Sequence, residues 1–331
     1  MEYRKINGTD INVSVVGLGC WAIVGDATWG HQDQTDTEET IYAALDAGIN
    51  LFDTAEMYGN GYSEEVLGKL LKGKRESVVI ADKVSRQNLS AQKVVTSCEN
   101  SLQRLQTDYI DLYQIHWPNN DIPAEETVSS LNRLKKQGKI REYGISNFGV
   151  NDLDTIIPCS GCRTNQLPYN LLWRSIEFEI SEKCRNNNIG IICYSPLAQG
   201  LLSGKFASAD DVPEGRARTR HFSSNRPQAR HGEPGFESRT FAAINRIRTL
   251  CETAGESMAP VALNWLIHQP GVLTVTAGAR TRKQVRSNAR GAELDLSSEI
   301  LEELTCVTEE VKELAGANAD MWQGEENTRI H

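Results

Sequence analysis

The sequence predicts an α/β protein: a (β/α)8 TIM barrel with an N-terminal β-hairpin and a long loop after its seventh strand. Three observations carry that expectation. Short apolar runs alternate with amphipathic stretches of helical period along most of the chain, which argues for parallel strands covered by helices. About eight such runs can be counted, at 15–19, 49–54, 78–83, 110–116, 140–147, 164–166, 189–195 and 272–278, the number a closed barrel requires. Those from 49 to 195 follow one another without a linker-like break, so the 331 residues read as one domain, 1–331. An open, doubly wound sheet is the rival arrangement, and periodicity alone does not separate the two.

The elements follow in order. Residues 3–6, Asn7-Gly8 and 11–15 read as a hairpin across the barrel bottom. Helical period marks 37–47, with Asp36 as cap, Glu39 three residues on and Gly48 as stop. Further helices are expected at 64–71, 91–105, 124–137, 150–157, 176–187, 241–254, 261–268 and 297–314. Pro123 suits a first helical position and Gly138 ends the same helix. The stretch 200–237, rich in Gly, Pro and Arg, is the longest irregular segment, and loops of that length are usually functional or mobile. A tail, 315–331, follows the last helix.

Composition narrows the function. With 35 basic and 44 acidic residues the formal charge is -9, which repels phosphate backbones and argues against nucleic-acid binding. No run of ~18 apolar residues occurs, so no membrane span is expected. Met1-Glu2-Tyr3-Arg4-Lys5 lacks the apolar stretch of a signal peptide, and eight scattered cysteines read as reduced thiols of a cytoplasmic protein.

The carboxyl ends of the strand candidates are polar: Asp53, Lys83, His116, Ser146-Asn147, Gln166 and Tyr194-Ser195. In a barrel those ends meet on one rim, where the active site is built. Singly, Asp53 could cap a loop, Lys83 could be solvated, and His116 or Tyr58 could simply pack. Together, an Asp beside a Lys beside a Tyr can lower the phenol pKa, and a neutral imidazole nearby can orient a carbonyl.

At these residues the sequence resembles the aldo-keto reductases. The resemblance lies in Phe52-Asp53-Thr54-Ala55-Glu56-Met57-Tyr58-Gly59 with Ser63-Glu64, and in the run from Tyr109 through His116-Trp117-Pro118. It continues in Gly138-Lys139-Ile140-Arg141, Gly144-Ile145-Ser146-Asn147-Phe148, Gln166, Tyr169-Asn170, Tyr194-Ser195-Pro196-Leu197, and Gly278-Ala279-Arg280 with Gln284 and Asn288. It spans roughly 3–315, in order. The resemblance implies an NADP-dependent reductase of aldehydes and ketones, with Asp53, Tyr58, Lys83 and His116 as its tetrad. Tyr58 would protonate the carbonyl oxygen, Lys83 and Asp53 would tune that phenol, and His116 would hold the substrate oxygen. Ser146, Asn147 and Gln166 would bind the cofactor's carboxamide and Tyr194 would stack on its nicotinamide. Ser195, Pro196, Leu197, Gly200 and the loop to Lys205 would hold the pyrophosphate. No Gly-x-Gly-x-x-Gly follows the first strand, and the family binds its dinucleotide without one.

Where well-studied members carry Lys-Ser for the adenosine 2′-phosphate, this chain has Gly278-Ala279. Arg280, Gln284 and Asn288 resemble a bacterial variant of that site. Arg280, Arg282, Lys283, Arg286 and Arg290 form a basic run, so NADP(H) is expected ahead of NAD(H), unless the run is only a solvated helix face. Arg216, Arg218, Arg220, Arg226 and Arg230 lie in the long loop, which in this family can close over the cofactor or else stay a mobile surface segment. Trp21, Trp29, Trp117 and Trp322 are expected around the substrate, with Met321-Trp322 packed beside the pocket unless the tail is a frayed terminus or a dimer contact. Cys159-Ser160-Gly161-Cys162 has metal-like spacing without a second pair, and only His116 of six histidines stands at a strand end, so no metal is expected. The partner is a small carbonyl compound; nothing in the sequence sets an oligomeric state. A cofactor-sensing regulatory subunit resembling the potassium-channel β subunits is the alternative, and turnover separates the two.

Overall fold

A computed structural model describes residues 1–26 and 28–331. The chain opens with the hairpin strands β1 (Tyr3–Lys5) and β2 (Asn12–Ser14), paired antiparallel with Tyr3 opposite Ser14. The Asn7-Gly8 step is only part of its turn: Ile6 N–H bonds to the Ile11 carbonyl at 2.9 Å, so residues 6–11 close the connection. Ile6, Ile11 and Val13 pack with Leu51, Val79, Ala81, Leu112, Ile192 and Leu273 in one apolar cluster, which plugs the barrel.

Eight parallel strands follow: β3 (Val16–Gly19), β4 (Leu51–Asp53), β5 (Val79–Val84), β6 (Ile110–Ile115), β7 (Ile140–Ser146), β8 (Thr164–Pro168), β9 (Gly190–Tyr194) and β10 (Val272–Gly278). Each pairs with its successor, and β10 pairs with both β9 and β3, which closes the barrel and excludes the open sheet. Gly144 in β7 permits a close approach: a Cβ there would fall 2.2 Å from Thr164 Oγ1.

The helices outside the barrel are α1 (Gln34–Asp46), α2 (Tyr62–Leu70), α3 (Ala91–Leu105), α4 (Ala124–Lys136), α5 (Val150–Ile156) and α6 (Ile180–Asn186). They continue with α7 (Glu237–Thr253), α8 (Met258–Ile267), α9 (Arg282–Arg290), α10 (Ser298–Val307) and α11 (Glu309–Ala315). Two expectations are corrected. Asp33, not Asp36, caps α1: its backbone is extended and its carboxylate accepts from Thr35 N–H, while Asp36 lies in the first turn. The span expected as one helix at 297–314 is two, α10 and α11, because the buried Arg174 guanidinium takes the Thr305 carbonyl at 2.8 Å. The loop between β9 and α7, after the seventh barrel strand, is the long one expected, and it carries short 3-10 turns at Ala198–Ser203 and Ala209–Asp211. No helix among the described residues is long and apolar enough to cross a membrane.

Candidate active site

Strand ends bring the tetrad together. Asp53 ends β4, Tyr58 sits in the loop after it, Lys83 lies near the end of β5, and His116 follows β6. Lys83 is fully buried, and its ammonium donates to both Asp53 carboxylate oxygens and the Thr54 carbonyl at 2.8 Å, and to Tyr58 Oη at 3.4 Å. Gln166 Nε2 adds a third hydrogen bond to Asp53, donating to Oδ1 at 2.7 Å. Burial opposes the charge on Lys83, but Asp53 and Tyr58 more than offset it, so the ammonium is held above its ordinary range.

The phenol departs from expectation. Burial pushes Tyr58 up to about 12; Lys83 pulls it down, but less strongly than burial raises it. Tyr58 therefore keeps its proton near neutrality and can donate it. His116 is 7% exposed and lies edge-on to the Tyr58 ring at 5.7 Å. Burial first, then the charges of Lys83 and Arg329, hold its imidazole well below the ordinary histidine range, so it is neutral.

A second layer surrounds the tetrad. Asn147, at φ +65°, donates to the His116 carbonyl at 2.9 Å and accepts from Tyr194 Oη at 2.8 Å. Ser146 Oγ donates to the Gln166 carbonyl at 3.0 Å. Beyond Tyr194 the backbone turns left-handed at Ser195, then at Ala198, Gln199 and Gly200 in succession. Three of these four are not glycine, and such strain gathers at functional sites. Gln199, whose buried amide has no hydrogen-bond partner, was not legible from sequence.

These residues share a cavity of about 910 Å³, within the range usual for ligand sites. Of the tetrad, Asp53, Tyr58 and His116 line it while Lys83 is sealed from it, and Ser146, Asn147, Gln166, Tyr194, Ser195, Pro196, Leu197, Gly200, Lys205 and Gly278 line it too. Trp21 lies nearly parallel to Tyr58 at 6.2 Å and Trp29 meets Trp21 edge-on at 5.5 Å. The tail reaches the same cavity, but only in part as expected. Trp322 lines it, parallel to the Tyr194 ring at 6.1 Å, whereas Met321 turns away and packs with Trp173 and Ala315. Arg329, which the sequence did not single out, lies over Trp117 at 3.9 Å and is clamped by Asp320 through two bonds of 2.7 and 2.8 Å.

The basic run divides. Arg280 faces the cavity, its guanidinium donating to the carbonyls of Trp29 and His31 and to Gln32 Oε1, while Arg282, Lys283, Arg286 and Arg290 are exposed outside it. Gln284 accepts from Arg280 N–H at 2.7 Å and Asn288 donates to the Gly278 carbonyl at 3.3 Å. The loop arginines divide too: Arg216, Arg218 and Arg230 line the cavity, whereas Arg220 pairs with Glu233 and Arg226 with Glu237. Cys159 and Cys162 are free thiols outside the cavity. Among the described residues no cluster of three or more His, Cys, Asp or Glu is placed to hold a metal ion.

A model of the Aldo/keto reductase family matches residues 15–309. The chain belongs to the aldo/keto reductases. Among its family relatives, aldo-keto reductase YhdN of Bacillus subtilis is 37% identical over 324 residues, covering 93% of this chain and 94% of the relative. An NADH-specific methylglyoxal reductase of Escherichia coli is 34% identical, covering 90% of this chain and 95% of the relative. A solved aldo-keto reductase from Klebsiella pneumoniae in complex with NADPH superposes with a TM-score of 0.71 at 28% identity, over 97% of this chain and 95% of that one.

Proposed function

We propose that this aldo/keto reductase reduces aldehydes or ketones to alcohols, with NADP(H) preferred over NAD(H) and Tyr58 as the proton donor. The buried Lys83 ammonium, locked between the Asp53 carboxylate and Tyr58 Oη, carries the reading. A cation fixed beside the phenol stabilises the oxyanion left when the proton departs, and the positioned phenol needs no rearrangement to give it up. A carbonyl oxygen held between Tyr58 Oη and the neutral His116 imidazole receives that proton as its own negative charge develops. The Trp21, Trp29, Trp117 and Trp322 rings wall off water and offer apolar faces to the rest of the substrate.

The residues present fit a nicotinamide dinucleotide. Lys205, Arg216 and Arg280 crowd one another: burial and the neighbouring cations hold Lys205 and Arg216 below their ordinary ranges, which favours phosphate anions there. Arg280, with Gln284 and Asn288, would take the 2′-phosphate, whose charge competes well against neutral backbone carbonyls. Ser146, Asn147 and Gln166 would hold the carboxamide, Tyr194 would face the ring, and the Ser195, Pro196, Leu197, Gly200 and Lys205 stretch would follow the pyrophosphate. When bound, the reduced nicotinamide supplies the hydride. The NADH-specific relative makes the preference a direct question for titration with both cofactors. The test of the activity is NADPH consumption, followed by absorbance across aldehydes, ketoses and aryl carbonyls, with the alcohol product identified; no turnover on any of them overturns it.

A further inference from the structure

The cations lining the cavity, Arg329 on the tail apart, fall into two groups. Lys205 and Arg216 feel each other and Arg280, the group fitted above to the cofactor's phosphates. Arg218 belongs elsewhere. Its charged neighbours are Arg230 and Asp26, and its guanidinium lies 5.9 Å from the centre of the Trp21 ring. That ring in turn is the one parallel to Tyr58 at 6.2 Å, so Arg218 and Tyr58 neighbour the same indole in the same cavity.

Among the described residues no carboxylate forms an ion pair with this second group. Asp26 is already committed, accepting from Trp21 Nε1 at 2.8 Å and from the N–H groups of Thr28 and Trp29. Arg220 and Arg226 in the same loop close on Glu233 and Glu237, but among the described residues no carboxylate closes on Arg218 or Arg230. Among the described residues Arg218 Nε is buried without a hydrogen-bond partner. Burial first, then the adjacent Arg230 charge, act against the Arg218 cation, and Asp26 offsets them only in part. A half-buried guanidinium beside an exposed one, with Asp26 as only a partial counter-charge, is stabilised by an anion that enters with the ligand. Arg329, the cation on the tail side, does not share this role, because Asp320 neutralises it.

We propose that the substrate is an aldehyde or ketone carrying an anionic group, held by Arg218 and Arg230 while its carbonyl lies at Tyr58 and His116. The proposal rests on the reductase reading and specifies its substrate class. A carboxylate and a phosphate ester share this chemistry, so the test has two arms. Succinic semialdehyde is compared with pentanal, and glyceraldehyde 3-phosphate with glyceraldehyde, each with NADPH and the full chain. The wild type is expected to favour at least one charged member in kcat/KM. In Arg218→Gln and Arg230→Gln that charged-to-neutral ratio should fall about ten- to hundredfold, mostly through KM, with Arg218→Lys retaining part of it. The NADPH dissociation constant, read by fluorescence titration, should stay within about twofold. An unchanged ratio, or an NADPH affinity that falls in parallel, overturns the assignment, the latter by giving these cations to the cofactor.

A third readout separates the two readings. Succinate binding to the NADP+-loaded protein is measured by tryptophan fluorescence in wild type and Arg218→Gln. Turnover of neutral carbonyls alone, with succinate binding insensitive to Arg218→Gln, leaves the reductase reading intact and overturns the anion site. No turnover of any carbonyl overturns the reductase reading, while succinate binding lost in Arg218→Gln still supports the anion site.

Discussion

The floor and the rim of the cavity handle charge in opposite ways. On the floor Lys83 is sealed from solvent, and the Asp53 carboxylate and Thr54 carbonyl close round its ammonium at 2.8 Å. On the rim Lys205, Arg216, Arg218, Arg230 and Arg280 line the cavity, and among the described residues no carboxylate lies within ion-pair distance of them. The floor's cation is matched within the protein; those of the rim are matched by no described carboxylate. The floor stands on strand ends, which fix geometry, and most of the rim on connecting segments, which adapt it. Mutations on the floor should therefore damage the reaction for every substrate, and those on the rim should redistribute affinity among ligands.

The largest effect belongs to the floor. Tyr58→Phe removes the hydroxyl beside Lys83 and should lower turnover about 10²–10⁴-fold, with NADPH titration showing binding intact. Wild-type turnover in the purified variant would remove Tyr58 from the mechanism. Lys83→Met leaves Asp53 buried without its cation and should cost about 3–5 kcal/mol by denaturant unfolding, besides abolishing activity. A variant as stable as wild type would show that the pair is not what holds the floor.

Stability should also depend on pH through His221, buried with its Nε2 2.8 Å from the Leu172 carbonyl, and held by burial at about 4. Between that value and the ordinary 6.5 the unfolded chain binds the extra proton, so stability falls as pH drops through this window and is flat above it. His221 alone contributes at most about 1.4 kcal/mol per pH unit. Melting curves from pH 7 to 4 should show a shallower slope in His221→Gln; an unchanged slope contradicts the assignment.

Rim substitutions come next. Arg280→Ala should weaken NADPH about ten- to hundredfold and leave NADH nearly unchanged. Equal losses, or a wild type that already binds NADH as tightly, would end its role as the phosphate selector. Trp322→Ala is the mildest. An aromatic pair contributes about 0.5–1.5 kcal/mol beyond area, so relative kcat/KM between small and bulky carbonyls should move only several-fold while NADPH affinity holds. An unchanged substrate ranking would take the tail out of the site.

The floor was legible in the sequence because strand ends announce themselves: an apolar run stopping at Asp53, Lys83 or His116 places the residue at the carboxyl end of the barrel, where active sites are built. Chemistry at those positions was harder to read. Proximity of Lys83 suggests a lowered Tyr58 pKa, yet desolvation outweighs the cation, and burial of a loop tyrosine is a tertiary fact. The rim was read in part. Arg218 and Arg220 are two residues apart in one basic stretch, yet one faces the cavity and the other Glu233, a division set by long-range packing. Trp322 was found and its neighbour Met321 misplaced for the same reason. Arg329 carried no local signal, since its partner Asp320 acts across a fold of the tail.

Carbonyl reduction is tested by mixing the purified wild-type chain with NADPH and the carbonyl panel, following absorbance and identifying the product. The structure predicts saturable consumption with one alcohol formed per NADPH oxidised. Tight NADPH binding without carbonyl turnover, the behaviour of a cofactor-sensing regulatory protein, would contradict it.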